Sequence, residues 1–432
     1  MARKMKDSGI EWIGEIPTDF SLYKLKYLLS SPLCYGANKS GTLYSDILPR
    51  YIRITDISPN GTLKNSGMLS LDESSAQNYM LHEGDILFAR SGATVGKSFI
   101  YHNYYGRAAY AGYLIKASFN RLVLPEFVYY YTCSSAYEIW KNSIFIQSTI
   151  QNIGADRYSN LPISVPNSID KQLRIVRYLN NFCSKFDAII YNLQTSIEDY
   201  KKLKQAVITQ AVTKGVRGER EMKDSGVEWV GEIPKEWVCE KIKYATSISR
   251  GLFNHRPRND ERYYNGKYPF IQTGDVANAT KYIVSYSQTL NELGKSVSKE
   301  FPKGTLTMTI AANVGDVAIL NFDAYFPDSV VGFVPNKNIR TLYLFYVFSA
   351  MKDEFIRTAI KSTQLNLNID RVKETFIPVT LNVNEQCEIE NYLESKCAEI
   401  DGLIAKKEQL VKELESYKKS LIYEVVTGKR EV

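Results

Sequence analysis

The sequence predicts an α+β chain: two tandem mixed α/β domains alternate with two long α-helices that pair as an antiparallel coiled coil, in a pseudo-two-fold design. Three observations predict it. Residues 5–17 read MKDSGIEWIGEIP and residues 222–234 read MKDSGVEWVGEIP, two copies that differ only by Ile to Val at two positions. A period of 217 residues is far beyond the ~20–50 of a solenoid repeat, so the duplicated unit is domain-sized. Each copy closes with a long segment that carries apolar residues every seven positions. Between motif and closing segment lie short apolar runs separated by Gly, Pro, Asn and Ser, the texture of strands and turns.

In chain order, residues 1–168 form the first mixed domain. YIRITDI (51–57), GDILFAR (84–90) and YLIKASF (113–119) read as strands, and 124–142 reads as one helix begun by Pro125. Residues 169–216 form the first long helix: 172–213 contain neither Gly nor Pro, and Gly215 is a favoured stop. Its heptad positions are Leu179, Phe186, Leu193, Tyr200 and Val207, with a second stripe three residues on at Phe182, Ile189 and Leu203, interrupted by Ser196. Residues 217–381 hold a short polar linker and the second mixed domain, and 382–432 the second long helix. Its stripe is Leu393, Ile400, Lys407, Leu414 and Leu421, with Leu403, Leu410 and Tyr417 at +3, each 214 beyond its counterpart. The frame is held along motif and helix while the mixed regions diverge, as expected of one scaffold carrying two replaceable reading heads.

Composition narrows the function classes. Apolar residues are 44% and charged residues 23% of 432, an ordinary globular balance. The net charge of +7 favours an anionic partner such as nucleic acid. Six scattered Cys without a CxxC pair, and only three His, argue against a zinc site and suit a reducing compartment. The N-terminus lacks an apolar signal core, and the most apolar run, 341–351, is shorter than the ~20 residues needed to span a bilayer. A cytoplasmic protein is expected.

No catalytic constellation repeats between the copies, and no metal set is found. SGATVGKS (91–98) approaches a phosphate-binding loop, which requires GxxxxGK[ST], but Ser91 stands where the first Gly belongs. In the other copy Asp316 stands where Lys97 was, so a glycine-bearing turn between strands is the better reading. The segments STIQNIGADR (148–157) and STQLNLNIDR (362–371) are rich in side chains able to reach base edges or phosphates. Gln147, Ser148, Thr149, Gln151 and Asn152 are candidates in one copy, and Lys361, Ser362, Thr363, Gln364 and Asn366 in the other. Helix capping and polar turn chemistry is the competing reading. Arg53, Thr55, Arg90, Ser91, Thr94 and Lys97, and Gln272, Thr273 and Asn313, are further DNA-contact candidates at strand ends and loops. Two heads joined by a rigid rod suit two separated half-sites on a duplex.

The tandem DSGxEWxGEIP motifs, the GDILFARSGATVGK segment and the helix ending EVVTGK (424–429, with QAVTKG at 210–215) make the chain resemble the specificity subunit of type I restriction–modification systems over nearly its whole length. The resemblance implies a non-catalytic subunit whose two recognition domains read unlike halves of a bipartite double-stranded DNA site. It implies two methyltransferase subunits, docked on the helices, and two restriction subunits. S-adenosylmethionine, ATP and Mg are expected on those partners, with no cofactor on this chain. The alternatives are a specificity subunit of another modification or phage-defence assembly, a coiled-coil protein scaffold, and a nucleotide-dependent enzyme built on Ser91–Ser98.

Overall fold

The computed structural model describes residues 4–58, 61–92, 94–146, 152–361 and 365–432, with only the backbone at 146, 360, 361, 365 and 366. The chain divides into two compact units, Met1–Gln194 with Glu408–Val432, and Thr195–Lys407.

In the first unit two four-stranded sheets form the head. One runs in the order Cys34–Tyr35, Leu114–Ala117, Ile86–Ala89, Ser98–Ile100, all antiparallel. The other runs Ala108–Tyr110, Arg50–Ile52, Leu69–Ser70, Thr42–Leu43. The second unit repeats the first of these sheets as Thr246–Arg250, Val330–Pro335, Leu306–Thr309, Val317–Leu320, extended by Tyr282–Ile283. A four-stranded sheet of Gln288–Leu290, Tyr264–Phe270, Ala324–Tyr325 and Glu300–Phe301 accompanies it.

The duplicated motif has a common task in both units. Met5–Asp7 pairs antiparallel with Glu15–Pro17, and Met222–Asp224 with Glu232–Pro234. Asp7 accepts from the Gly9 backbone N–H and Asp224 from that of Gly226, both at 2.9 Å. These glycines sit at φ +71°, where a side chain would be strained. In the first unit Ile13 and Ile16 are buried beneath Leu421, Ile422, Val425 and Val426 of the second long helix. In the second unit Val230 and Ile233 are buried with Ile208, Ala211 and Val212 of the first long helix. The motif therefore seats the last turns of a long helix in each unit, and conservative Ile/Val exchange keeps that seat filled.

The long helices are Ile169–Lys214 and Val383–Val426, 46 and 44 residues, or about 65–70 Å each at ~1.5 Å per residue. Gly215 at φ +74° and Gly428 at φ +73° follow their C-termini. Within each unit the two helices run antiparallel. In the first unit Phe186 lies 5.7 Å from Tyr417, centroid to centroid, and Lys418 pairs with Asp187 at 2.5 Å. In the second, Lys204 pairs with Asp401 at 2.7 Å, and Arg217 with Glu388 at 2.7 Å. The two inter-helix Lys–Asp pairs are the same contact made once in each unit.

The seam differs from the predicted frame in one respect. Leu179, Leu393, Ile400 and Leu421 are buried, and Phe186, Leu193, Tyr200, Val207, Leu403 and Leu414 half-buried. Beside the heptad stripe burial is deeper at +4 than at the predicted +3, where Phe182 and Leu403 are half-buried and Phe182 still packs 6.2 Å from Tyr417. Cys183, Ile190, Ile197 and Ala211 are buried, whereas Ile189, Leu203, Leu410 and Tyr417 are exposed. Ile190 is 9% exposed and its neighbour Ile189 46%. A heptad seam alternates steps of three and four, so one apolar stripe fits two frames. The more deeply buried stripe was masked by Cys183 and by Lys204, whose ammonium leaves the seam to reach Asp401.

The predicted helix over 124–142 is two helices, Pro125–Thr132 and Ser135–Ile146. The break comes where the buried Ser134 hydroxyl donates to the Tyr131 carbonyl at 2.7 Å, a local bond that competes with helix continuation. YIRITDI is a strand only through Ile52. A helical turn, Ile54–Asp56, follows because Asp56 accepts from the Arg53 N–H at 2.8 Å.

Candidate nucleic-acid interface

The glycine-bearing segment 90–97 joins antiparallel strands Ile86–Ala89 and Ser98–Ile100. A phosphate-binding loop joins a strand to a helix, so this loop lacks the helix N-terminus that would hold a nucleotide. It is anchored from below by Tyr137, which donates to the Gly96 carbonyl at 2.7 Å, and by Tyr158, which donates to the Ala89 carbonyl at 3.1 Å. Both phenols are buried, which pushes them up and keeps them protonated. The loop is thus a rim at the end of the central sheet, tied down at both ends through Ala89 and Gly96. Its second-unit counterpart is held alike: Gly96 N–H donates to the Ala89 carbonyl and Gly315 N–H to the Thr309 carbonyl, each at 2.9 Å.

On the first rim the structure brings together Arg90, Ser91 and Asn152. Ser91 and Asn152 form an isolated β-bridge, and the Ile153 N–H donates to the Arg90 carbonyl at 2.9 Å. The Arg90 Nε donates to Asn152 Oδ1 over a long 3.4 Å, and its guanidinium lies 5.0 Å from the Tyr35 ring centroid. Tyr35 is fixed in turn, accepting at its hydroxyl from the Ala155 N–H at 3.0 Å. Thr94 and Lys97 are half-buried on the same loop. Gln147, Ser148, Thr149 and Gln151 lie outside the described residues, as do Ser362, Thr363 and Gln364. Lys361 and Asn366 are placed by their backbones in the paired strands Ile360–Lys361 and Leu365–Asn366.

Arg53 and Gln272 are engaged in bonds within the fold. Arg53 lies beside strand Arg50–Ile52 of the other sheet and is bound by Asp56 at 2.8 Å and the Gly67 carbonyl at 2.7 Å. Gln272 donates to Gln288 Oε1 at 2.8 Å, and its backbone N–H donates to Asp275 at 2.8 Å. These two equivalent positions complete equivalent turns, so their polarity is accounted for within the fold. Thr55 and Asn313 are exposed, and Thr273 is half-buried at the start of helix Thr273–Asn278.

Sequence reasoning missed an arginine-rich loop in the second unit, RGLFNHRPRNDER at 250–262. Arg250, Arg256, Arg258 and Arg262 are exposed. Arg250 donates to the Asp328 carbonyl at 2.6 Å, Arg258 pairs with the Asp328 carboxylate, and Arg256 approaches it at 3.8 Å. Hydrogen bonding from Arg262 holds the Asp260 carboxyl well below the usual carboxylate range, so it stays ionised. The loop still carries more positive than negative charge, the electrostatics that bind a phosphate backbone. The signal available was four arginines in thirteen residues.

Among the described residues no group of three or more His, Cys, Asp or Glu side chains is placed to hold a metal ion, and no helix is long and apolar enough to cross a membrane. Burial pushes Cys133 and Cys183 up to about 11, so both are neutral thiols packed as small apolar groups.

The model of the type I restriction modification DNA specificity domain matches residues 41–199 and 248–413, about three-quarters of the chain. The chain belongs to that family. Two copies of the matched domain make it a DNA specificity subunit, a recognition chain rather than a catalytic one. It is 25% identical over 432 residues to a protein assigned as the specificity subunit of type I restriction enzyme MjaX from Methanocaldococcus jannaschii, covering 96% of this chain and 95% of the relative. The MjaVIII specificity subunit of the same organism is 22% identical over 367 residues, covering 81% and 80%. A solved chain from a study of complex assembly and conformational transition of the type I R-M system superposes with a TM-score of 0.71 at 15% identity. That match covers 96% of this chain and 99% of the solved one, and it supports the two-unit fold.

Proposed function

We propose that each unit reads one half of a bipartite, asymmetric duplex site, and that the long helices set the gap between the halves. The observation that carries this is the divergence of the two rims on one backbone plan. The strand ends make matching backbone hydrogen bonds, yet the side chains they present differ. Arg90 and Tyr35 in the first unit stand where Ile310 and Arg250 stand in the second. The central sheets keep the same pairing, with Tyr35 opposite Ile115 and Arg250 opposite Val331. A scaffold without a reading task has no reason to hold its rims constant in backbone and variable in chemistry.

In this reading the chain supplies the address in the cytoplasm, and two methyltransferase subunits and two restriction subunits supply the chemistry. S-adenosylmethionine, ATP and Mg belong to those partners. Paired exposed surfaces favour a partner present in two copies: Tyr27 carries Lys26 at 5.1 Å in one unit and Tyr244 carries Lys243 at 5.1 Å in the other. The test is equilibrium binding of the purified complex to its methylated-site duplex and to scrambled duplex over a salt series. Sequence-selective binding whose affinity falls linearly with log salt supports the reading. Salt-independent or sequence-blind association with intact assembly would favour the scaffold.

A further inference from the structure

The rims draw an arginine from different strands of the central sheet, Arg90 in the first unit and Arg250 in the second, and this difference has a chemical meaning. The frame can be fixed by hydrogen bonds alone. Arg90 N–H donates to the Tyr113 carbonyl as Ile310 N–H donates to the Ser329 carbonyl, each at 2.9 Å. Gly36 N–H donates to the Leu114 carbonyl at 3.1 Å as Gly251 N–H donates to the Val330 carbonyl at 2.9 Å. A Cβ on Gly36 would lie 2.4 Å from the Ala111 carbonyl oxygen, and one on Gly251 2.2 Å from that of Pro327. Both crossings therefore require Gly, and they pin the residue just before it, Tyr35 or Arg250, to one place on the rim. In the second unit Arg250 lies on the neighbouring strand with its Nε bonded to the Asp328 carbonyl, and Ile310, at the place of Arg90, is buried. In the first unit the guanidinium comes instead from Arg90. It lies over the Tyr35 ring, and its Nε donates to Asn152. Among the described residues neither terminal nitrogen of Arg90 has a hydrogen-bond partner.

An arginine placed over a tyrosine ring, its two terminal nitrogens without a partner among the described residues, matches the paired acceptors O6 and N7 on the major-groove edge of guanine. Adenine offers a donor where guanine offers O6. We infer that Arg90, positioned by Tyr35 and Asn152, is a specificity-determining residue that reads a guanine in the half-site of the first unit, and that the second unit reads no guanine from the equivalent strand. This rests on the proposal that the heads bind DNA.

The experiment maps methylated adenines by single-molecule sequencing in cells carrying the chain with its methyltransferase partners. Wild type, Arg90→Ala, Arg90→Lys and Tyr35→Phe are compared. Arg90→Ala should make one guanine position degenerate, with discrimination lost by roughly 5- to 150-fold, and leave the other half-site and the gap unchanged. Arg90→Lys, which keeps the charge but not the fork, should relax the same position. Tyr35→Phe keeps the ring and should retain the guanine. An unchanged motif in Arg90→Ala overturns the inference while leaving the two-head reading intact. So does uniformly weaker binding with an unchanged motif and a salt slope reduced by about 1, the mark of a phosphate contact. Absence of any bipartite motif in the wild type would instead overturn the underlying proposal.

Discussion

Ile189 and Ile190 are adjacent, chemically identical, and placed in opposite surroundings. Ile190 is buried at 9% exposure, and Ile189 is exposed at 46%. Fully burying such a side chain is worth about 1.5–3 kcal/mol. Ile190→Ala forfeits nearly all of that and leaves a cavity in the seam, so it should cost about 3 kcal/mol. Ile189→Ala loses roughly half the transfer energy and leaves no enclosed void, which puts it near 1 kcal/mol. The gap of about 2 kcal/mol is about a 30-fold difference in the folding constant. Asp at the two sites should widen it further, because a carboxylate at 190 would be buried without a partner. Denaturant titration of the purified variants, followed by helical circular dichroism, gives both values. Equal losses, or a larger loss at Ile189, would refute the +4 seam and restore the frame through Ile189 and Leu203.

Other outcomes follow from the same geometry. Gln172 and Gln386 each clamp three backbone groups. Gln172 accepts from the Leu124 N–H at 2.8 Å and donates to the Leu122 and Pro166 carbonyls. Gln386 does the same with Arg340 N–H, Asn338 and Thr380. Replacing either by Ala leaves buried backbone groups unpaired and should cost about 2–4 kcal/mol by chemical denaturation; a loss under about 0.5 kcal/mol would contradict the clamp. Neutralising Arg256 and Arg258 together should weaken duplex binding across all sequences and lower the salt slope by about 2, measured by fluorescence anisotropy. A changed motif would mean that the loop reads bases. Removing one heptad from each long helix takes out roughly 10 Å of rod, about three base pairs of duplex. Methylation mapping should then show a shorter gap or no modification, and an unchanged gap would refute the spacer role.

Much of the architecture was legible because it is written in periodicities. The duplicated motif announced two units, and the seven-residue stripe announced two long helices ending at Gly215 and just before Gly428. What stayed hidden lay where two local codes agree or where tertiary partners decide. The +3 and +4 stripes are both apolar, and the +4 stripe includes Cys183 and Lys204, so pattern alone favoured the less buried companion. Helix 124–142 looked continuous because a Ser134 hydroxyl bond to its own backbone leaves no trace in hydrophobic spacing. At the first rim the sequence named Arg90 and Asn152 as candidates, but it could not show that Tyr35, 55 residues earlier, meets Arg90 through the sheet. The contacts of Arg53 with Asp56 and Gly67, and of Gln272 with Gln288 and Asp275, are tertiary and left no mark in spacing.

The central claim is that this chain gives the address and each unit gives half of it. The most direct measurement exchanges residues 18–165 for the same region of a relative with a different target, and then maps methylated adenines on cellular DNA with the wild-type, exchanged and deleted chain. A bipartite motif with two unlike halves should appear in the wild type, change in one half only on exchange, and vanish on deletion. Change in both halves, or methylation indifferent to deletion, would contradict the account.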